Sequence, residues 1–377
     1  MKILFTGGGS GGHFYPIIAV AEALNDMTRE RKILEPKLYY AAPDPYDKEM
    51  LLAHNVMFVP TAAGKRRNYF SVLNFFDFFK TAWGTLRAIL RIFFLYPDVV
   101  FGTGGYASFP TLLAARLFRI PVVIYATDAV PSRVNLWAGK FAEKIAISFP
   151  EATEFFPKEK TAHTGNPVRK AAMLPAREGA HEFLKLKKEL PVLLVLGGSQ
   201  GAQALNDCML DALPRLLQKY QVVHQTGEKN IKEIEGRVKI VLGNNFELAE
   251  RYKAFGYLND VAIRMSAGAA ALVISRAGSG SIFEIASWGL PSILVPIPSE
   301  ISRDQTKNAF SFARTGACSV VEQNNLTPGL LISEVDRILG TPELARQMGE
   351  KARSFARPDA AKLIAGALLD IALSHEQ

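Results

Sequence analysis

Two cysteines in 377 residues, Cys208 and Cys318, are too few for a disulfide framework, and with no CxxC spacing they offer no structural zinc site. The chain also lacks H-E-x-x-H and D-x-D, and its six histidines show no ligand spacing, so no metal site and no cofactor are expected. No charge-free apolar run reaches about 18 residues, which excludes a membrane-spanning helix. Met1 leads straight into an apolar strand, so no cleavable leader is expected. There is no low-complexity tract, and a composition 49% hydrophobic and 21% charged is that of a soluble protein. The net charge of +8 favours an acidic partner. Nucleic acid is disfavoured, because the basic residues are spread among apolar surfaces and no DNA or RNA motif occurs. Anionic lipid and phosphorylated substrates remain.

What the chain does have is alternation. Short apolar runs (KILFTG, KLYYAA, MFVPTA, DVVFGTG, VVIYAT, KIAISF) are separated by helical patterns near 16–29, 46–54, 70–95, 108–118 and 132–141. Apolar strands between helices indicate a parallel sheet covered on both faces. After a charged stretch containing Pro and Gly, PVLLVLGGSQGAQALND restarts the same layout, followed by QVVHQTG, RYKAFGY, ALVISRAG, SILVPIP and CSVVEQ. The expected fold is α/β, two doubly wound Rossmann-like domains facing a cleft. The boundaries read as 1–168, a linker at 169–190, a second domain at 191–358, and a last helix at 359–377 that can pack back on the first domain.

Gly7, Gly9 and Gly12 satisfy G-x-G-x-x-G after a strand, the fingerprint of a dinucleotide-binding turn. Such a site wants an acid at the end of the second strand, where this chain has Tyr39, Tyr40, Ala41 and Ala42, with Asp44 the first acid. An NAD-dependent oxidoreductase therefore rests on the turn alone. GTGGYASFP (102–110) and GGSQGA (197–202) are two further turns of the same kind. Glycine at a helix start lets a diphosphate or sugar approach unpaired N–H groups, although tight strand-to-helix turns also need glycine for purely structural reasons. His13 follows the first turn, where a histidine serves either as a general base or as a packing residue.

The densest chemistry lies in ISRAGSGSIFEIASWGLPSILVPIPSEISRDQTKNAF (274–310). Glu284 on the helix opened by Gly278 to Ser281 can accept two bonds from a ribose diol, or can simply favour the helix dipole. Gln305 can donate to and accept from sugar hydroxyls.

Taken together, GGSGGH, GTGGY, TGNPVR, GGSQGA and RAGSGSIFEIASWGLPSILVP resemble the MurG family over nearly the whole chain, in order and spacing. That resemblance implies a GT-B glycosyltransferase. It implies inverting, metal-independent transfer of N-acetylglucosamine from UDP-GlcNAc to undecaprenyl-linked lipid I, forming lipid II at the cytoplasmic face of the bacterial plasma membrane. Other cell-wall synthesis proteins are further partners it suggests. Residue by residue, it implies that Glu284 binds the ribose, and that Ser199, Gln200 and Gly201 with Arg169 hold the donor diphosphate. Ser279, Gly280 and Gln305 would contact phosphate or the sugar ring. Ser10, Gly11, Gly12, Gly104, Gly105 and Tyr106 would face the acceptor diphosphate, with His13 as base. Two departures stand out. Tyr125-Ala126-Thr127-Asp128 replaces the family's His-Glu-Gln-Asn, so Asp128 can contact the sugar or compete with His13 as base. Asp304 precedes Gln305 where the family more often has His or Gln. They leave room for a related transferase acting on another membrane lipid, such as diacylglycerol, and for a non-catalytic sugar-nucleotide-binding subunit.

A membrane-bound acceptor requires a lipid-facing surface. In NFFDFFKTAWGTLRAILRIFFLYP, helical spacing puts Phe75, Phe79, Trp83, Leu86, Leu90 and Phe93 on one face, with Lys80, Arg87 and Arg91 in a separate stripe. Lys65, Arg66 and Arg67 lie just upstream, and Phe109, Leu112, Leu113 and Phe118 add a nearby apolar patch. The competing reading buries this apolar face on the sheet.

Overall fold

The computed structural model describes residues 1–64, 73–198, 201–299 and 305–374, with only the backbone of 73–80. The chain forms two compact units. Unit 1 is Met1–Arg169 with Arg357–Gln377, and unit 2 is Lys170–Ala356.

Unit 1 holds a parallel sheet of seven strands: β1 (Lys2–Thr6), β2 (Lys37–Ala42), β3 (Val56–Pro60), β4 (Val99–Gly102), β5 (Val122–Ala126), β6 (Lys144–Ile147) and β7 (Thr161–His163). Their order is β3-β2-β1-β4-β5-β6-β7. The chain leaves β1 towards one edge and returns at β4 towards the other, so a crevice opens between their carboxyl ends, where open parallel sheets place ligands. β4 and β5 are buried along their whole length, as strands covered on both faces must be. The last helix, Ala360–Ser374, buries Ile364, Leu368, Leu369 and Ile371 in one core with Ile17 and Leu24 of the first helix. At about 2 kcal/mol per buried aliphatic side chain, that face alone accounts for its membership of unit 1.

Unit 2 repeats the plan with β8 (Val192–Leu196), β9 (Gln221–Gln225), β10 (Tyr252–Phe255), β11 (Ala270–Ser275), β12 (Ser292–Leu294) and β13 (Cys318–Val320). The order β10-β9-β8-β11-β12-β13 puts its crevice between β8 and β11. The stretch 169–190, read as a linker from its charge, carries short helices at Lys170–Met173 and Ala180–Leu184. From Lys170 onward it is fixed to unit 2, with the Trp288 indole N–H donating to Ala172 O at 2.7 Å and Arg264 Nε donating to Leu174 O at 3.1 Å.

The first helix runs Gly11–Glu30, whereas Pro16 in the sequence suggests a start at residue 16. Ser10 takes extended backbone as N-cap, its carbonyl accepts from His13 N and Phe14 N, and burial of Phe14, Pro16 and Ile17 outweighs the amide hydrogen that Pro16 lacks. His13 therefore sits on a helical turn, not on a loop.

One buried polar chain crosses unit 2. His224 on β9 lies between the Tyr252 hydroxyl (2.9 Å from Nδ1) and Asn206 Oδ1 (3.1 Å from Nε2), and burial pushes its pKa from 6.5 down to about 3. Between those values the unfolded chain holds a proton that the fold does not. Stability is therefore fully present above pH 6.5 and falls below it, by up to about 1.4 kcal/mol per pH unit for this residue. Urea midpoints measured from pH 7 to pH 4 are expected to decline less steeply in His224→Gln, whatever that variant's stability at pH 7.

Candidate active site

In unit 1 the carboxyl ends of β1, β4 and β5 bring together His13, the turn 103–106 and Asp128. His13 Nδ1 lies 2.9 Å from Thr103 O. A carbonyl only accepts, so Nδ1 carries the proton and the Nε2 lone pair is left for chemistry. Thr103 Oγ1 donates in return to His13 O at 3.0 Å, which locks the helix turn to β4. Nε2 points at Gly105, where a Cβ would stand 3.2 Å from it on a backbone of φ +78°. Glycine is required there on both counts. Burial lowers the His13 pKa, and the nearby Asp128 charge and the Thr103 carbonyl raise it again, the net effect being a lowering. A neutral imidazole at pH 7 is the form a general base needs.

Ser10, Gly11 and Gly12 form the exposed to half-exposed entry of the first helix, whose first-turn N–H groups make a positive end. Tyr106 packs against Gly9. Of the four residues that depart from the family pattern, only Asp128 is partly exposed. Tyr125 points into the core, its hydroxyl bonded to Ser148 and donating to Asn166 Oδ1 at 2.6 Å. Thr127 Oγ1 donates to Asp128 Oδ2 at 2.7 Å. Asn135 was not singled out by the sequence. Its Nδ2 donates to Tyr125 O at 3.1 Å, and its amide fills the space that a Cβ on Gly104 would need. It joins the β4 and β5 turns, and only its separation of seven residues from Asp128 hinted at this. Arg169 also belongs to unit 1. It is buried, with its guanidinium 4.5 Å over the Tyr15 ring and Nη1 donating to Met50 Sδ at 3.9 Å.

In unit 2 an open cavity of about 550 Å³ lies at the carboxyl ends of β8 and β11, lined by Gly197, Gly201, Gln203, Asp207, Arg276, Ile297 and Gln323 among others. Ser199 and Gln200 lie outside the described residues, as does Asp304. Arg276 holds the wall, with Nη1 donating to Val295 O (3.1 Å) and Nη2 to Gln323 Oε1 (2.7 Å), while its buried Nε has no protein partner among the described residues. Burial lowers the pKa of this cation, and a guanidinium with an unpaired N–H can take an anion. Gln323 and Asp207 were not singled out by the sequence, because a polar residue 47 positions from Arg276 carries no local signal. The helix Ser279–Trp288 begins at Ser279, whose buried Oγ also has no partner among the described residues, with Gly280 beside it and Glu284 half-buried on the next turn. Gln305 begins a helix and accepts from Ile297 N–H at 3.1 Å through its amide oxygen.

The helix Leu73–Leu95 packs on unit 1 along one face, with Ile89 and Leu95 partly buried against it. Ala88 and Ile92 are buried in the core with Leu4 and Val100. Four of its large apolar residues face outward instead: Trp83 55%, Leu86 49%, Leu90 52% and Phe93 58% exposed. Arg87 stacks on Trp83 at 5.2 Å, and Arg91 is half-exposed. Phe75 and Phe79 continue the stripe along the backbone, but their side chains, and residues 65–67, lie outside the description. Phe93 touches Phe118, and Phe109 packs on Trp137. Leu112, expected in the same surface patch, is fully buried, because its helix turns that face to the sheet. Among the described residues no helix is long and apolar enough to cross a membrane.

Residues 3–147 match the glycosyltransferase family 28 N-terminal domain and residues 192–364 its C-terminal domain. The crystal structure of Acinetobacter baumannii MurG is 26% identical, covers 98% of this chain and 99% of its own, and superposes with a TM-score of 0.71. A Bacillus thuringiensis (strain Al Hakam) protein, named UDP-N-acetylglucosamine--N-acetylmuramyl-(pentapeptide) pyrophosphoryl-undecaprenol N-acetylglucosamine transferase 3, is 36% identical over 89% of this chain and 91% of its own. The chain belongs to the MurG family of glycosyltransferases. A Treponema denticola relative of the same name, without the numeral, is 36% identical over 88% of this chain and 86% of its own. As in the MurG family, the two parallel-sheet domains form a GT-B architecture, and the opening G-x-G-x-x-G belongs to a glycosyltransferase domain rather than to a dehydrogenase.

Proposed function

We propose that this enzyme transfers N-acetylglucosamine from UDP-GlcNAc to the 4-hydroxyl of the muramyl sugar of lipid I, giving lipid II. The observation that carries the catalytic reading is the tautomer of His13, which is fixed through Nδ1 by Thr103 O. Nε2 takes the proton of the 4-hydroxyl as that oxygen attacks the anomeric carbon. The bond from that carbon to the UDP oxygen breaks, the configuration inverts, and UDP leaves with the electron pair. Charge grows on the leaving diphosphate, so the Gly201 turn and the Arg276 guanidinium favour the transition state over the bound donor. Glu284 holds the ribose diol, and Ser279, Gly280 and Gln305 contact phosphate or sugar. The turns at 10–12 and 104–106 take the acceptor diphosphate, close to the base. The outward face of the Leu73–Leu95 helix rests on anionic lipid, which makes the enzyme peripheral at the cytoplasmic face of the plasma membrane, where a polyprenyl acceptor stays anchored.

The test is transfer of radiolabelled GlcNAc to a short-chain lipid I analogue, with and without chelator. Equal turnover in both is the expected result. No transfer by a sample that binds UDP-GlcNAc tightly would keep the donor and move the acceptor to another membrane lipid. Loss of turnover with chelator would remove the metal-independent mechanism.

A further inference from the structure

In the glycine turn after β8, Gly197 N–H donates to Gln225 O at 3.2 Å and Gly201 packs on the next carbonyl, Thr226 O. At Gly201 (φ +76°) a Cβ would lie 2.1 Å from Thr226 O, so this turn is seated directly on the peptide that ends β9. That carbonyl does not float. It accepts from Asn206 Nδ2 at 3.0 Å and from Asn230 Nδ2 at 2.8 Å, while Thr226 N–H donates to Phe255 O at 2.9 Å. Asn206 is in turn oriented from below. Because its Nδ2 must face a carbonyl, its Oδ1 faces His224 Nε2, which therefore carries the ring proton. Nδ1 is then an acceptor and takes the Tyr252 hydroxyl. Burial keeps the imidazole neutral at physiological pH, so every bond in this chain has one direction, from the Tyr252 hydroxyl to the Thr226 carbonyl.

We propose that Asn206, oriented by His224, is a positioning residue for donor binding: it sets the Thr226 carbonyl on which Gly201 sits, and so sets the N–H groups at the start of the following helix, Gln203–Leu216, towards the donor diphosphate. Asn206 touches no substrate, and its effect passes through Thr226 and Gly201. This rests on reading the Gly201 turn as the diphosphate site.

Asn206→Asp is the informative variant. It preserves shape and the oxygen facing His224, but replaces the donor to Thr226 O with a second oxygen. The expected result is a rise of about tenfold in the UDP-GlcNAc KM and in the UDP inhibition constant, together with a lower kcat at saturating donor and an acceptor KM within about twofold. Asn230→Ala is expected to do the same more weakly. In 15N spectra His224 is expected to be protonated at Nε2 alone in the parent, and at both nitrogens in Asn206→Asp, where a carboxylate faces it. Gly201→Ala separates the two readings. If it leaves the UDP-GlcNAc KM unchanged, the turn is not the diphosphate site. If it raises that KM while Asn206→Asp only lowers Tm, the turn reading stands and Asn206 is merely structural, which overturns the proposal.

Discussion

His13→Gln is expected to lower kcat for GlcNAc transfer by about 10²- to 10⁴-fold while the UDP-GlcNAc KM stays within about twofold. Glutamine is close to the imidazole in size and can keep a bond to Thr103 O, so the loss reports proton transfer and not collapse of the turn. The pH dependence carries the sign. A base works unprotonated, so activity rises with pH through the His13 pKa, which burial places below the usual 6.5. The Asp128 charge pulls that value upward, against burial. Removing it in Asp128→Asn is therefore expected to move the acid limb of kcat/KM to lower pH while keeping most of the plateau rate. Abolished turnover in Asp128→Asn, with His13→Gln retaining activity, would transfer the role of base to Asp128.

Replacing Trp83, Leu86 and Leu90 with Ser is expected to weaken partition onto vesicles containing anionic lipid by about 10³-fold. The estimate takes about 1.5 kcal/mol for each large apolar side chain withdrawn from the interface. All three are about half exposed in the fold, so Tm is expected to hold, and turnover on a short-chain acceptor in solution should persist. If the triple variant binds vesicles as well as the parent, the outward face of this helix is not the lipid surface. Arg87→Gln is a milder case, at about 1 kcal/mol for one basic residue near an anionic surface, and its effect should vanish in high salt.

The alternation of apolar strands with helices settled the two doubly wound sheets, and the glycine turns marked the ends of their strands, because both are local properties of the chain. The motifs from GGSGGH to RAGSGSIFEIASWGLPSILVP were enough for the family. Partners distant in sequence were not legible. The free nitrogen of His13 depends on a carbonyl 90 residues away, the anchoring of Arg276 on Gln323, and the seat of Gly201 on an amide held by His224. Helical period likewise groups Trp83, Leu86 and Leu90 on one stripe without saying whether that stripe meets the sheet. The tertiary structure decided it: the face that packs over Leu4 and Val100 is the one carrying Ala88 and Ile92, flanked by Ile89 and Leu95, so the stripe of Trp83, Leu86 and Leu90 is left outside. Tyr125 ran the other way, a polar residue beside the candidate site that the sheet keeps inside because Ser148 and Asn166 satisfy its hydroxyl.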